Sequence, residues 1–313
     1  MVHLGEVVCA KRMPFIDPHL PAIIDRLRRA GKQVVISTLA LVQGARETAL
    51  VRDLTASDDW LIEANDMSAI HGLSGRPHVV GPHVNVYNPA SLACLAALGA
   101  VRVCLPAELP MAGIAALAAA RGAVAIEVQV FGRAPLAISA RCYHARAHGL
   151  HKDGCRYVCG QDPDGMPVDT VDGQPFLAVN GLQTLSHGCL ELSGWIDDLR
   201  TAGVTGFRLS PHSVDMVAVA GIYRAVIDGR MAGSDAAASI RPLLERCRRS
   251  MVSWPAAPAW RGTPGGIGQE MPAPCRSERR ITLEARKQHV VFKMDVLHQL
   301  AHQMAQAQIQ RLP

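Results

Sequence analysis

Short runs of β-branched and other apolar residues alternate with alanine- and leucine-rich stretches along most of the chain, the pattern of parallel strands joined by crossover helices. The apolar runs predict strands in "QVVISTL" from Gln33, "DWLIEA" from Asp59, "PHVVGPHVNV" from Pro77, "VRVCLP" from Val101, "VAIEVQV" from Val124, "PFLAVNG" from Pro175 and "TGFRLSP" from Thr205. A fragment, "VHLG", opens the chain like one more. Between them the periodicity predicts helices over Pro18 to Ala30, Ala45 to Leu54, Pro89 to Leu98, Met111 to Ala120 and Val214 to Ile227. Seven strands and the opening fragment predict an α/β fold of the TIM-like (β/α) barrel kind. A doubly wound open sheet fits the same alternation.

After Ser250 the pattern breaks. "WPAAPAWRGTPGGIGQEMPAPC" is rich in proline and glycine, which punctuate a chain rather than fold it. From Ile281 to Leu312 an amphipathic period returns and predicts one helix. Three regions follow: a barrel over 1–250 with a cysteine-rich loop at 139–160, a closing segment and linker over 251–278, and a helical tail over 279–313.

Composition narrows the class without naming a chemistry. Hydrophobic residues make up 49% and aromatics only 4%, so the core must be packed by alanine, valine, leucine and isoleucine. A net charge of +5 reads as a solvated face, since the basic residues are scattered and form no aromatic and basic stripe for nucleic acid. The first residues lack the charged-then-apolar order of a secretory leader, and the apolar stretch Ala112 to Val130 is broken by Arg121 and Glu127, so no transmembrane segment is predicted. A cytoplasmic location is the expectation, in which nine cysteines are reduced thiols or metal ligands rather than a disulfide framework.

Three of those cysteines, Cys142, Cys155 and Cys159, fall in one polar loop, "SARCYHARAHGLHKDGCRYVC". Three thiolates meeting at one point repel unless a cation holds them, so convergence there implies a metal. Structural zinc usually pairs its ligands as C-x-x-C, which this loop lacks, whereas an iron–sulfur cubane tolerates looser spacing because its ligands bind different irons. Iron–sulfur, zinc and no metal all stay open on spacing alone. His144, His148 and His151 are candidate zinc ligands, read more simply as solvent-facing loop residues. Cys94 and Cys104 lie in apolar elements and read as small core residues, while Cys247 and Cys275 sit among late arginines. For a fourth ligand two candidates remain. Cys9 follows "HLGE" at the exit of the first strand, and Cys189 stands in "SHGCLEL" just after another strand.

The stretch "EVQVFGRAPLAISARC", with Glu127, Gly132, Pro135, Leu136, Ser139, Arg141 and Cys142, resembles the signature segment of the collagenase-like peptidase family, whose members are TIM-like barrels carrying cysteine clusters. "LGEVVCAKR", "GKQVVISTLALVQ", "NGLQTLS" and "RLSP" resemble the UbiV branch of that family, and "AWRGTPGG" resembles the family's closing segment, so the likeness runs from Val2 to about Met271. The resemblance implies a 4Fe-4S iron-sulfur cluster held by Cys9, Cys142, Cys155 and Cys159, with Cys189 the alternative fourth ligand if the chain were of the UbiU branch. It further implies oxygen-independent hydroxylation of the ring of a ubiquinone precursor by a heterodimer with a UbiU-like paralogue. Family members begin with a further strand and helix before the "LGE" turn, so the resemblance also implies a barrel lacking its first βα unit, with an open seam of unpaired edges.

Lys11, Arg12 and Arg141 flank the proposed ligands, where they could offset cluster charge or bind an anionic co-substrate. Glu63, Asn85, Glu127 and Arg208, with His83 and His212, fall at strand ends and are expected at the barrel mouth, either touching substrate or capping the following helices. The competing functional readings are a non-catalytic electron-relay or stabilising subunit, RNA base hydroxylation and peptidase activity. The last finds neither an H-E-x-x-H nor a G-x-S-x-G motif.

Overall fold

The computed structural model of the protein describes residues 1–245 and 289–293. The expected linker at 251–278, most of the expected tail, Cys247 and Cys275 lie outside the described residues. Strand and helix alternate through the first part of the chain as the pattern predicts: β1 (Val2–Leu4), α1 (Met13–Ile16), α2 (Leu20–Arg29), β2 (Val34–Ser37), α3 (Ala45–Ala56), β3 (Leu61–Ala64), α4 (Met67–Gly72), β4 (His78–Val80), α5 (Pro89–Ala97), β5 (Ala100–Cys104), α6 (Met111–Ala119) and β6 (Ala125–Ile138). Local chemistry starts several of these helices. Asp66 accepts the Ser68 amide at 2.8 Å to cap α4, and Asn88 accepts the Ser91 amide at 2.9 Å ahead of a proline-led α5. Gly44 opens α3, with the Glu47 carboxylate returning to its amide at 3.0 Å.

Past β6 come α7 (Tyr143–Ala147), β7 (Met166–Asp169), β8 (Pro175–Asn180), β9 (Gln183–Glu191), α8 (Ile196–Thr201), β10 (Gly206–Leu209), α9 (Met216–Ile227), α10 (Gly233–Glu245) and β11 (His289–Lys293). β6 is long enough to serve two partners. Its first half pairs in parallel with β5 and β10, and its second half pairs antiparallel with β9. β7, β8 and β9 form an antiparallel meander, so "PFLAVNG" is β8 of this appendage and not a strand of the parallel set. The hairpin explains the correction. Asn180 faces Gln183 across a two-residue turn in which Gly181 takes φ +64°, and a turn that short can join only antiparallel strands.

The parallel strands form a strongly curled sheet. β1 to β6 pair in sequence order, β10 pairs with β6, and β11 pairs in parallel with both β10 and β1. The expected open seam is therefore closed. His289–Lys293 aligns Val291 with Arg208 and Phe292 with Val2, and this stretch is a strand where one continuous helix was expected. The edges of β1 and β10 each offer a row of backbone donors and acceptors, and their pairing outweighs a helical period in a short β-branched run.

Alternation along the parallel strands sorts their side chains between two interiors. Outward-facing Leu4, Ile36, Ile62, Val80, Val103, Ile126 and Phe207 join Val51, Ile70, Leu92, Leu117 and Leu199 in one apolar core. Each such side chain contributes roughly 1.5–3 kcal/mol by leaving water. The inward face is ionic: Arg208 bonds Glu63 at 2.7 Å and bonds Glu127 through Nε, Arg102 reaches Glu127 at 3.4 Å, and Glu63 accepts from Ser37 at 2.5 Å and from His3 at 3.1 Å. Burial raises the pKa of Glu127, but Arg208, His3 and Arg102 outweigh it and hold the carboxyl below its ordinary value. Burial lowers that of His3, against the opposing pull of Glu63.

Candidate metal centre

The loop leaving β1 is folded by one carboxylate. Glu6 Oε1 accepts the amides of Val8 at 2.7 Å and Cys9 at 2.8 Å, presenting Cys9 at the C-terminal end of the parallel strands. Gly5 permits the bend: its φ is +115° and a Cβ there would lie 2.9 Å from the Ser37 carbonyl. The second loop follows β6. Cys142 caps α7, its sulfur accepting the Ala145 amide at 3.4 Å. Between Cys155 and Cys159, Arg156 and Tyr157 both adopt left-handed φ, 47° and 55°, a tight reversal that turns both cysteines toward one space.

The expected loop histidines divide by role. His144 is fully buried, not solvent-facing; its Nδ1 donates to the Val179 carbonyl at 3.1 Å, and Nε2 lies 3.1 Å from Asp162. His148 is exposed and stacks on His144, and His151 accepts the Gly154 amide at 3.2 Å beside Cys155. His144, His148 and Asp162 stand close enough to hold one metal ion between them.

Cys9, Cys142, Cys155 and Cys159 line a single cavity, with Lys11, Arg12, Lys152, Tyr157 and Gly181 around it. Val8, Ala145 and Leu182 pack beneath the thiols. Lys11 ties the two loops together, donating to the Lys152 carbonyl at 2.7 Å and pairing with Asp153 at 3.4 Å. Arg12 is buried and donates to Asn180; a Cβ on Gly181 would come 2.6 Å from its guanidinium, so glycine makes room for the cation. Burial pushes the Cys9 and Cys142 thiols up, and the neighbouring sulfurs push them further. Four clustered thiols, none in a disulfide, are the soft donor set that thiophilic metals take, and Lys11, Arg12 and Lys152 supply charge opposite to four thiolates. The residues present fit an iron–sulfur cluster.

Arg12 is also a wall of a second cavity at the mouth of the curled sheet, lined by His83, Gln129, Arg133, Asp164, Asn180, Arg208 and His212 among others. Arg208, His83 and His212 reach this mouth as expected, whereas Glu63 and Glu127 lie in the buried network, where they compensate Arg208. Asn85 sits outside both cavities, in a left-handed position ending a short turn. Arg141 is exposed and lines neither. Cys189 is absent from the thiol cup, and Cys94 is exposed on α5 instead of buried. Arg133, Asp164, Gln129 and Asn180 join the mouth without having been expected there. Arg133, Asp164 and Asn180 belong to the antiparallel appendage and its connections, whose fold over the mouth has no local signature, whereas Gln129 stands in the parallel half of β6 opposite Arg208.

Among the described residues no helix is long and apolar enough to cross a membrane. No solved structure matches the chain. The family model described as Peptidase family U32 matches residues 1–254, from β1 through all of the described loops and appendage, and the chain belongs to this collagenase-like peptidase family.

Proposed function

We propose that this chain is the iron–sulfur subunit of an oxygen-independent hydroxylase acting on the ring of a ubiquinone precursor, working as a heterodimer with a UbiU-like paralogue. The observation that carries the reading is the convergence of Cys9, Cys142, Cys155 and Cys159, from two loops far apart in sequence, on one cavity rimmed by cations. The ring of eight parallel strands with helices outside it supports a TIM-like (β/α) barrel, with the proposed centre at the C-terminal ends of β1 and β6.

A bound 4Fe-4S cluster supplies single-electron transfer. The chain's part is to hold and tune it. Cys9, Cys142, Cys155 and Cys159 act as ligands, Val8, Ala145 and Leu182 exclude water from one side, and Lys11 and Arg12 offset the charge of the thiolates. Arg12, shared between the two cavities, sets a substrate in the mouth beside the cluster.

The test is anaerobic purification with iron, sulfide and zinc analysis and an optical spectrum near 400 nm, beside a Cys9→Ser variant. About four irons and four sulfides per chain are expected, with the absorbance lost in the variant. One zinc without colour would overturn the reading and leave the cup as a structural clamp. Activity of the paralogue alone would reduce the chain to an electron relay.

A further inference from the structure

His144 stands in α7 and His148 ends it, four positions on and so on the same face of the helix. Asp162 reaches that face from the other end of the cysteine loop. His144 is fully buried, and its Nδ1 lies 3.1 Å from the Val179 carbonyl. A carbonyl only accepts, so Nδ1 carries the proton and Nε2 of the neutral ring is a bare lone pair. That lone pair meets another acceptor, Asp162 Oδ2, at 3.1 Å, yet Nε2 makes no hydrogen bond among the described residues. Two buried acceptors in contact repel unless a cation lies between them. His148 stacks on His144 with ring planes within 10° of each other, and the donor atoms of all three residues lie within 4.8 Å of one another. A proton shared by His144 and Asp162 would give His148 no part in the arrangement. A metal ion uses all three.

We propose that His144, His148 and Asp162 form a zinc site, separate from the thiol cup, that braces the two ends of the cysteine loop. Two imidazole nitrogens and one carboxylate oxygen are the donors of a zinc site with three protein ligands and an open fourth position, whereas calcium and magnesium take oxygens. A metal-bound histidine usually gives its other ring N–H to a carbonyl or carboxylate, which fixes the tautomer and the ring, and His144 has that contact in Val179. Asp162 is anchored through its own carbonyl, which accepts the Gly165 amide and Asn180 Nδ2, each at 2.9 Å. Zinc bonds of about 2.0–2.1 Å in a tetrahedron set ligand atoms about 3.3 Å apart. His144 and Asp162 already meet that spacing, and exposed His148 turns inward to complete it. His144 follows Cys142 by two residues and Asp162 follows Cys159 by three, so one ion ties the loop shut at both ends. The site does not depend on what the cup holds.

The test is zinc titration of the full chain, purified anaerobically and stripped with a chelator, beside a Cys155→Ala/Cys159→Ala double variant whose cup retains only two thiols. The double variant is expected to keep one zinc per chain. Cobalt(II) in its place should give visible d–d bands without a sulfur-to-metal charge-transfer band. In that background His148→Ala should weaken zinc at least about tenfold, and because His148 is exposed the far-ultraviolet circular dichroism should not change. Asp162→Asn is the second variant, with the same expected loss. A double variant that binds no zinc, or one whose zinc affinity neither His148→Ala nor Asp162→Asn moves, would overturn the proposal. Iron and sulfide analysis of the wild-type protein before stripping reports separately on the cup.

Discussion

His212 and Asp164 couple the mouth to pH. Burial raises the pKa of Asp164, but His212 and the Ser213 amide outweigh it and hold it below 3.8. His212 stands raised from 6.5 to about 9. A raised histidine contributes stability that is complete below pH 6.5 and disappears as pH rises through about 9, and a depressed aspartate contributes above 3.8 and loses its share as pH falls through its folded value. The pair is one interaction counted once. Wild type should therefore exceed His212→Gln by about 2–3 kcal/mol near pH 5–6 in urea melts, with the gap closing toward pH 10. Arg208 offers a second test. Arg208→Met leaves Glu63 and Glu127 buried without their shared counter-charge and should cost about 3–5 kcal/mol in the same measurement. In the cup, Cys155→Ala should abolish cluster absorbance and leave the far-ultraviolet circular dichroism nearly unchanged, because Cys155 is only half-buried and packs at the edge of a small apolar cluster.

β6 is the element on which the architecture turns, since it changes partners within one strand. Gly132, where the change occurs, has φ +96°, and a Cβ there would come 2.5 Å from the Ser210 carbonyl. Gly132→Ala must strain the backbone or push β10 and the His212 loop away from β6, at about 1–3 kcal/mol. Gly160→Ala is the matched control. Nothing lies within 4 Å of its would-be Cβ, and its effect should stay within about 0.5 kcal/mol. Thermal unfolding of the two variants side by side checks both values. The helices were legible at this scale because asparagine, aspartate and proline announce α4 and α5 locally. "PFLAVNG" misled for the opposite reason: an apolar strand looks the same whether its neighbours run parallel or antiparallel, and the hairpin that decides it depends on one glycine.

For the whole molecule, β11 is the closing piece. Removing residues 289–313 should expose the edges of β1 and β10. Hydrogen exchange should then show lost protection at Val2–Leu4 and Gly206–Leu209, while β3 and β4, paired on both sides within the sheet, stay protected. Unchanged protection at β1 and β10 would mean that β11 does not hold the ring together.

The sequence by itself determined the alternation of strand and helix and marked the polar loop that carries Cys142, Cys155 and Cys159, because these rest on local periodicity, capping and residue type. It could not decide that His212 pairs with Asp164, that Glu63, Glu127 and Arg208 neutralise one another, or that a late stretch of chain pairs with the first strand. Those depend on contacts between residues far apart in sequence, and only the curl of the sheet brings such residues to the same place.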